Sequence, residues 1–72
     1  MIQKRSVTIA GHATSVSLEA EFWSALQALA RRRGRSLAAL IAEIDGERGG
    51  NLSSALRLRI LEGYRSGELG PD

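Results

Sequence analysis

The chain has 72 residues, no cysteine, one histidine, and a net charge of +2 from ten Lys and Arg against eight Asp and Glu. That bounds it to one domain and excludes disulfides, thiolate metal sites and a zinc site built on several histidines. A chain this short buries only about 60% of its unfolded surface, so a second subunit is the expected support.

With so small a net charge, the position of the cations matters more than their number. Lys4 and Arg5 lie near the start, and Arg31, Arg32, Arg33 and Arg35 cluster further on. The acids concentrate at Glu19, Glu21, Glu43, Asp45 and Glu47. No stretch is long and apolar enough to span a membrane and no signal-peptide pattern opens the chain, so a cytoplasmic protein is expected.

Met1 to Gln3 are expected to be loose. Residues 5–9 (Arg-Ser-Val-Thr-Ile) alternate, with Val7 and Ile9 on one side and Ser6 and Thr8 on the other, as a half-buried strand does. Gly11 permits a turn or sharp bend. Residues 14–18 alternate again, Ser15 and Ser17 facing away from Val16 and Leu18. Two arrangements remain open: a hairpin of 5–9 with 14–18, or an extended arm leading into one ribbon strand. A lone short strand has two open edges, and its expected partner is the same strand of a second chain.

At Glu19 the period changes. Phe22, Leu26, Leu29 and Arg33 fall at helical spacing, predicting a first helix from about 19 or 20 to 33 with no loop before it. Leu18 and Phe22 are placed as a hydrophobic staple, Glu19 and Glu21 suit the positive helix start, and Arg31–Arg33 suit its negative end. Gly34 is a natural residue to follow it. Ser36 caps a second helix, Leu37 to about Asp45, with Leu37, Leu40, Ile41 and Ile44 as its stripe. Gly46 and Gly49-Gly50 should end it. Asn51 or Ser53 caps a third helix to about Tyr64, with Leu52, Leu56, Ile60 and Tyr64 repeating every four residues and Leu61 and Ala55 widening the face. The division is a domain over 1–66 and a tail over 67–72 expected to fray. The chain shows no low-complexity tract.

Residues 4–12 (Lys-Arg-Ser-Val-Thr-Ile-Ala-Gly-His), 14–19, 21–23 (Glu-Phe-Trp), Ile44-Asp45 and 51–57 (Asn-Leu-Ser-Ser-Ala-Leu-Arg) together resemble a short bacterial ribbon-helix-helix domain family of MetJ/Arc type. The resemblance runs from about residue 4 to 65. It implies a mainly α fold with a short β-ribbon, in an intertwined homodimer whose intermolecular antiparallel sheet has two strands, or four, with about three helices per chain. It also implies a ribbon lying in the DNA major groove and a helix N-terminus holding a backbone phosphate. Carried onto this chain, Ser15 and Ser17 contact bases. Lys4, Arg5, Arg35 and Ser36 contact phosphates, with Ser53 a rival to Ser36. Val16, Leu18, Phe22, Leu26, Leu40, Ile44, Leu56 and Ile60 form the dimer core. Where the family commonly has a basic residue, this chain has Ala13.

Each assignment has a plainer counterpart. Ser15 and Ser17 could be a solvated strand face, and the Arg31–Arg33 run could serve only the helix dipole. His12 beside Gly11 reads as a loop residue, and Trp23, one residue off the Phe22 stripe, as a filler of the dimer seam. Catalysis has little support: Glu43 and Glu47 are one helical turn apart but lack a His or Lys partner, and Gly46–Gly50 lacks the Lys-Ser/Thr of a phosphate loop. The expectation is a DNA-binding homodimer that uses no cofactor, metal or small-molecule substrate and no membrane. The rival is a homodimeric protein-interaction module, favoured by Ala13, the low net charge and the Glu43-Asp45-Glu47 acids.

Overall fold

A computed structural model of the chain describes residues 1–47 and 51–70. The order is β1 (Ile2–Ile9), β2 (His12–Glu19), α1 (Ala20–Arg32), α2 (Leu37–Glu47) and α3 (Leu52–Arg65). The two strands pair antiparallel within the chain, in register from Ile2 opposite Glu19 to Ile9 opposite His12. The open choice between hairpin and arm is thus resolved as a hairpin. Its two-residue turn, Ala10-Gly11, has positive φ at both positions (52° and 82°). That conformation matches the twist of the flanking strands, and only Gly11 adopts it without steric cost.

The expected looseness of Met1–Gln3 is corrected. β1 starts at Ile2, and the Met1 carbonyl accepts a hydrogen bond from the Ala20 amide at 3.3 Å. Alternation decides what the sheet buries: Ile9, Val16 and Leu18 point inward, α2 packs against β1, and α1 and α3 pack against β2.

α1 begins at Ala20 directly after Glu19, within the expected start, but the face it buries differs from the one expected. Trp23, Leu26, Leu29 and Ala30 are its buried residues, while Phe22 is only half-buried. Leu26 and Leu29 of the expected stripe are buried, while Trp23 takes the place expected of Phe22 and Ala30 completes the face in place of Arg33. Trp23 is 2% exposed inside its own chain, so filling a seam between copies is not what buries it. Its indole Nε1–H donates to the Gln3 carbonyl at 3.0 Å, joining α1 to the start of β1. A buried indole needs such an acceptor, and the strand backbone supplies one.

The local helix signals hold. Gly34 follows α1 with φ of 64°. The Ser36 hydroxyl accepts from the Ala39 amide at 3.1 Å, and Asn51 Oδ1 accepts from the Ser54 amide at 3.0 Å, leaving Ser53 inside α3 and not at its cap. Gly46 lies within α2 and does not end it. The expected stop at Gly49-Gly50 falls outside the described residues. On α3, Leu52, Leu56 and Ile60 are buried as expected, whereas Leu61 and Tyr64 are exposed.

The expected fraying after residue 66 is corrected as far as residue 70. Gly67 turns the chain back with φ of 87°, and the Leu69 amide donates to the Gly63 carbonyl at 2.9 Å. Leu69 is 4% exposed, seated where a Cβ on Gly63 would come within 2.9 Å of its Cδ1. Leu69 has no periodic partner in the sequence, because its contact with Gly63 depends on that turn.

Of the eight residues expected to form a core between copies, Val16, Leu18, Leu26, Leu40, Ile44, Leu56 and Ile60 are buried by their own chain, and Phe22 is not. The hydrophobic core closes within one chain because β1 covers α2 and α3 closes the side of α1. Among the described residues no helix is long and apolar enough to cross a membrane.

Candidate nucleic-acid interface

The face of the hairpin turned away from the helices is where the sequence placed its base-contacting residues. Antiparallel partners share a face, so the register collects Lys4 with Ser17, Ser6 with Ser15, and Thr8 with Ala13. Val16 and Leu18 lie on the opposite, buried face, which leaves Ser15 exposed and Ser17 partly so. Lys4, Ser6 and Thr8 are exposed. From Lys4 to Thr8 the outer surface of the ribbon thus carries one cation and four hydroxyls, with exposed Ile2 opposite Glu19 beyond Lys4, and a hydroxyl can both donate and accept.

Ser6 and Thr8 are functional candidates that strand periodicity alone did not single out. A signal was present: Ser6-Val-Thr-Ile and Ser15-Val-Ser-Leu share the pattern hydroxyl, valine, hydroxyl, aliphatic. Only the hairpin register sets the two segments side by side.

The expected phosphate contacts are dispersed. Lys4 stays on the ribbon face. Arg5, one residue on, belongs to the inner face opposite Val16, and its guanidinium lies over the Trp23 ring at 5.0 Å while Nη2 donates to Gln3 Oε1 at 3.2 Å. Strand periodicity separates the two side chains by half a turn, so they do not form one basic patch. Arg35 and Ser36 sit in the α1–α2 connection. Arg35 pairs with Glu43 at 2.9 Å, although half of its side chain remains exposed (50%), and Ser36 is occupied as a helix cap.

Other arginines are also engaged by carboxylates. Arg33 Nε donates to Glu68 Oε2 at 2.8 Å, and Arg59 Nη2 donates to Glu68 Oε1 at 3.0 Å. These hydrogen bonds, Arg33's first and then Arg59's, hold the Glu68 carboxyl below its ordinary value of 4.5. Arg57 donates to Glu19 Oε1 from Nε at 3.3 Å and Nη2 at 3.2 Å, and lies over the Phe22 ring at 5.8 Å. The Glu19 carboxyl is lowered first by its own backbone N–H and then, against the effect of desolvation, by Arg57. These pairs tie α3 and the chain end to the β2–α1 junction and to the end of α1.

The Glu68 pairs make a stability prediction. A lowered folded pKa means that the carboxylate stabilises the fold fully above its ordinary value of 4.5, and that this is lost as pH falls through the lower folded value. Glu68→Gln should therefore melt below wild type near neutral pH, with the gap closing in acid. Melting curves between about pH 3 and pH 7 test this, and a gap constant across that range would rule out the linkage.

Among the described residues no group of three or more His, Asp or Glu side chains is placed to hold a metal ion. His12 lies exposed at the start of β2 beside the hairpin turn.

A two-stranded ribbon backed by three helices defines a class of small domain with one face of its β-sheet turned away from the helices. The chain belongs to the ribbon-helix-helix domain family, which it matches over residues 2–64. Among solved structures it is similar to an uncharacterized protein from Bordetella pertussis Tohama I. The two share 32% identity and a TM-score of 0.76 over 94% of this chain and 58% of that one. The chain thus spans little more than half the length of that neighbour. A search of curated proteins finds no match.

Proposed function

We propose that this protein binds double-stranded DNA as a transcriptional regulator, laying its β-ribbon into the major groove. The observation that carries this reading is the outer face of the hairpin, where Lys4, Ser6, Thr8, Ser15 and Ser17 stand in register, with exposed Ile2 opposite Glu19 at the end away from the turn. A two-stranded ribbon fits the roughly 12 Å width of the groove, where hydroxyls reach base edges and phosphates. Serine and threonine discriminate bases poorly compared with arginine or asparagine, so this face reads sequence weakly and derives much of its affinity from the phosphates. Ribbon-helix-helix regulators generally act as dimers, and we extend that to two copies of this chain on the two halves of a near-palindromic site.

The rival function, a protein-interaction module without specific DNA binding, is favoured by one feature of α3. Leu58, Leu61 and Tyr64 are 62%, 50% and 55% exposed along one side of that helix. The carboxylate pairing of Arg33, Arg35, Arg57 and Arg59 also leaves less free positive charge than the sequence suggests.

Selection from random duplex DNA decides between the two, with recovered sequences re-titrated at low and moderate salt. An enriched, near-palindromic motif whose affinity falls steeply with salt supports the regulator. Absence of enrichment, with only feeble salt-sensitive binding, overturns it in favour of the interaction module.

A further inference from the structure

We propose that the outward side of α3 is a contact between two copies of this chain, made by two α3 helices packed antiparallel about a two-fold axis. The contact is separate from the ribbon and from any pairing of copies along it. It does not depend on what the ribbon binds.

α3 carries an apolar stripe on each of two sides. Leu52, Leu56, Ile60 and Gly63 are its buried residues. At about 100° per residue, Ser54, Leu58, Leu61 and Arg65 fall on the opposite side of the helix. All four are exposed there, Leu58 at 62% and Leu61 at 50%, with Tyr64 beside them at 55%. A single exposed leucine is ordinary, but two leucines and a tyrosine at neighbouring helical positions make a contiguous patch. The half-buried Phe22 of α1 extends it by way of Arg57, whose guanidinium lies over the Phe22 ring at 5.8 Å and which precedes Leu61 by one turn.

The order of residues along the stripe selects a second copy as the occupant. Ser54, Leu58, Leu61 and Arg65 are spaced four, three and four residues apart, as in a coiled-coil seam. That spacing reads the same in both directions. Reversing one helix against the other therefore sets Leu58 opposite Leu61 of the second copy, twice, and Ser54 opposite Arg65 of the second copy at each end. Like flanks meet in an antiparallel pair, so Arg57 comes beside Tyr64 of the second copy, where a guanidinium and an aromatic face attract. On the other flank Glu62 comes beside Ala55 of the second copy. The arrangement brings no two like charges together, whereas a parallel pair would set Arg65 against Arg65. α3 has 14 residues and is therefore about 21 Å long. A contact of that length falls at the low end of specific interfaces, below about 1,200 Å² in total, and association in the micromolar range is expected.

Sedimentation equilibrium of the full chain tests this, at about 10–100 µM and low salt, comparing wild type with Leu61→Glu. The substitution lies at an exposed position and should leave the chain folded, which circular dichroism melts check. It sets a carboxylate against Leu58 of the second copy and should weaken association about 100-fold or more, so that the variant has about half the mean mass of the wild type. Ser54→Glu tests the register. Facing Arg65 of the second copy at both ends of the seam, it should tighten association about fivefold, and adding Arg65→Ala should abolish that gain. An unchanged mass for Leu61→Glu overturns the inference. A wild type that sediments as a single chain throughout overturns it too, and leaves the face to a different protein. If Ser54→Glu fails to tighten association, or tightens it equally without Arg65, the antiparallel pairing of α3 is wrong. Should Leu61→Glu unfold, Leu58→Ser removes the apolar contact without adding charge; it should weaken association about tenfold, and an unchanged mass would count equally against the inference. Failure here leaves the DNA reading intact, because none of these substitutions touches the ribbon.

Discussion

Trp23→Ala is expected to destabilise the fold by about 3–5 kcal/mol, the cost of deleting a large buried aromatic side chain. A domain of this size has roughly 4–11 kcal/mol of stability in total, so the variant should be partly or wholly unfolded at physiological temperature. Packing is the larger part of the effect, since Trp23 is 2% exposed among Leu18, Leu26 and the other core residues. Two further losses follow from geometry: the Gln3 carbonyl loses its indole donor, and Arg5 loses the ring beneath it. Trp23→Phe separates them, keeping an aromatic ring but removing the N–H, at a cost of about 1 kcal/mol. Urea unfolding at several protein concentrations is the measurement. Because Trp23 is buried by its own chain, the loss should not depend on concentration. A loss that vanished at high concentration would put Trp23 at a contact between copies, as the sequence alone suggested.

Ser15→Glu is the variant with the largest expected effect on binding. It places a carboxylate at the centre of the ribbon's outer face, beside Ser6 and away from the core. Folding should be little changed, since the site is exposed and surface substitutions usually alter stability by less than about 0.5 kcal/mol. DNA binding should fall by about 100-fold or more, because a like charge set against phosphates costs several kcal/mol at an interface. Anisotropy titration alongside a thermal melt reads both quantities. Near-wild-type affinity with an intact fold would remove the ribbon face from DNA recognition. The β2 face would then be solvated sheet, and attention would pass to the exposed side of α3.

The contrast between these two positions lies in strand and helix phase. Ser15 could be assigned to the outer face from sequence because a strand has a period of two, and Val16 and Leu18 fix the inner side unambiguously. Phe22 and Trp23 could not be ordered that way. Successive helical residues differ by about 100°, and Leu26 and Leu29 are compatible with either aromatic as the next core residue. The Gln3 carbonyl of β1 settles the matter by giving the indole an acceptor, and that strand lies 20 residues away in sequence.

Arg5 and Arg35 show the same limit for charge. Both are conspicuous cations in sequence, and both find intrachain partners, one the Trp23 ring and the other Glu43. Lys4 differs from Arg5 only by the alternation of a strand whose pairing the sequence left open. Leu69 was missed because a lone leucine among turn formers has no period, and its site exists only once Gly67 reverses the chain beside Gly63.

By itself, the sequence determined what is local: two alternating strands, a turn or bend at Gly11, the direct passage into a helix after Glu19, the Gly34 end, the cap at Ser36, and a cap for the third helix at Asn51 or Ser53. Each depends on hydrogen bonds or dihedral angles within a few residues, so the residue types nearby suffice to specify it. Tertiary structure alone decided which strand pairs with β2, which aromatic enters the core, which carboxylates the arginines meet, and whether the end of the chain is seated. Those depend on register and packing between segments far apart in sequence, where the gain comes from burial and close fit that no single segment achieves on its own.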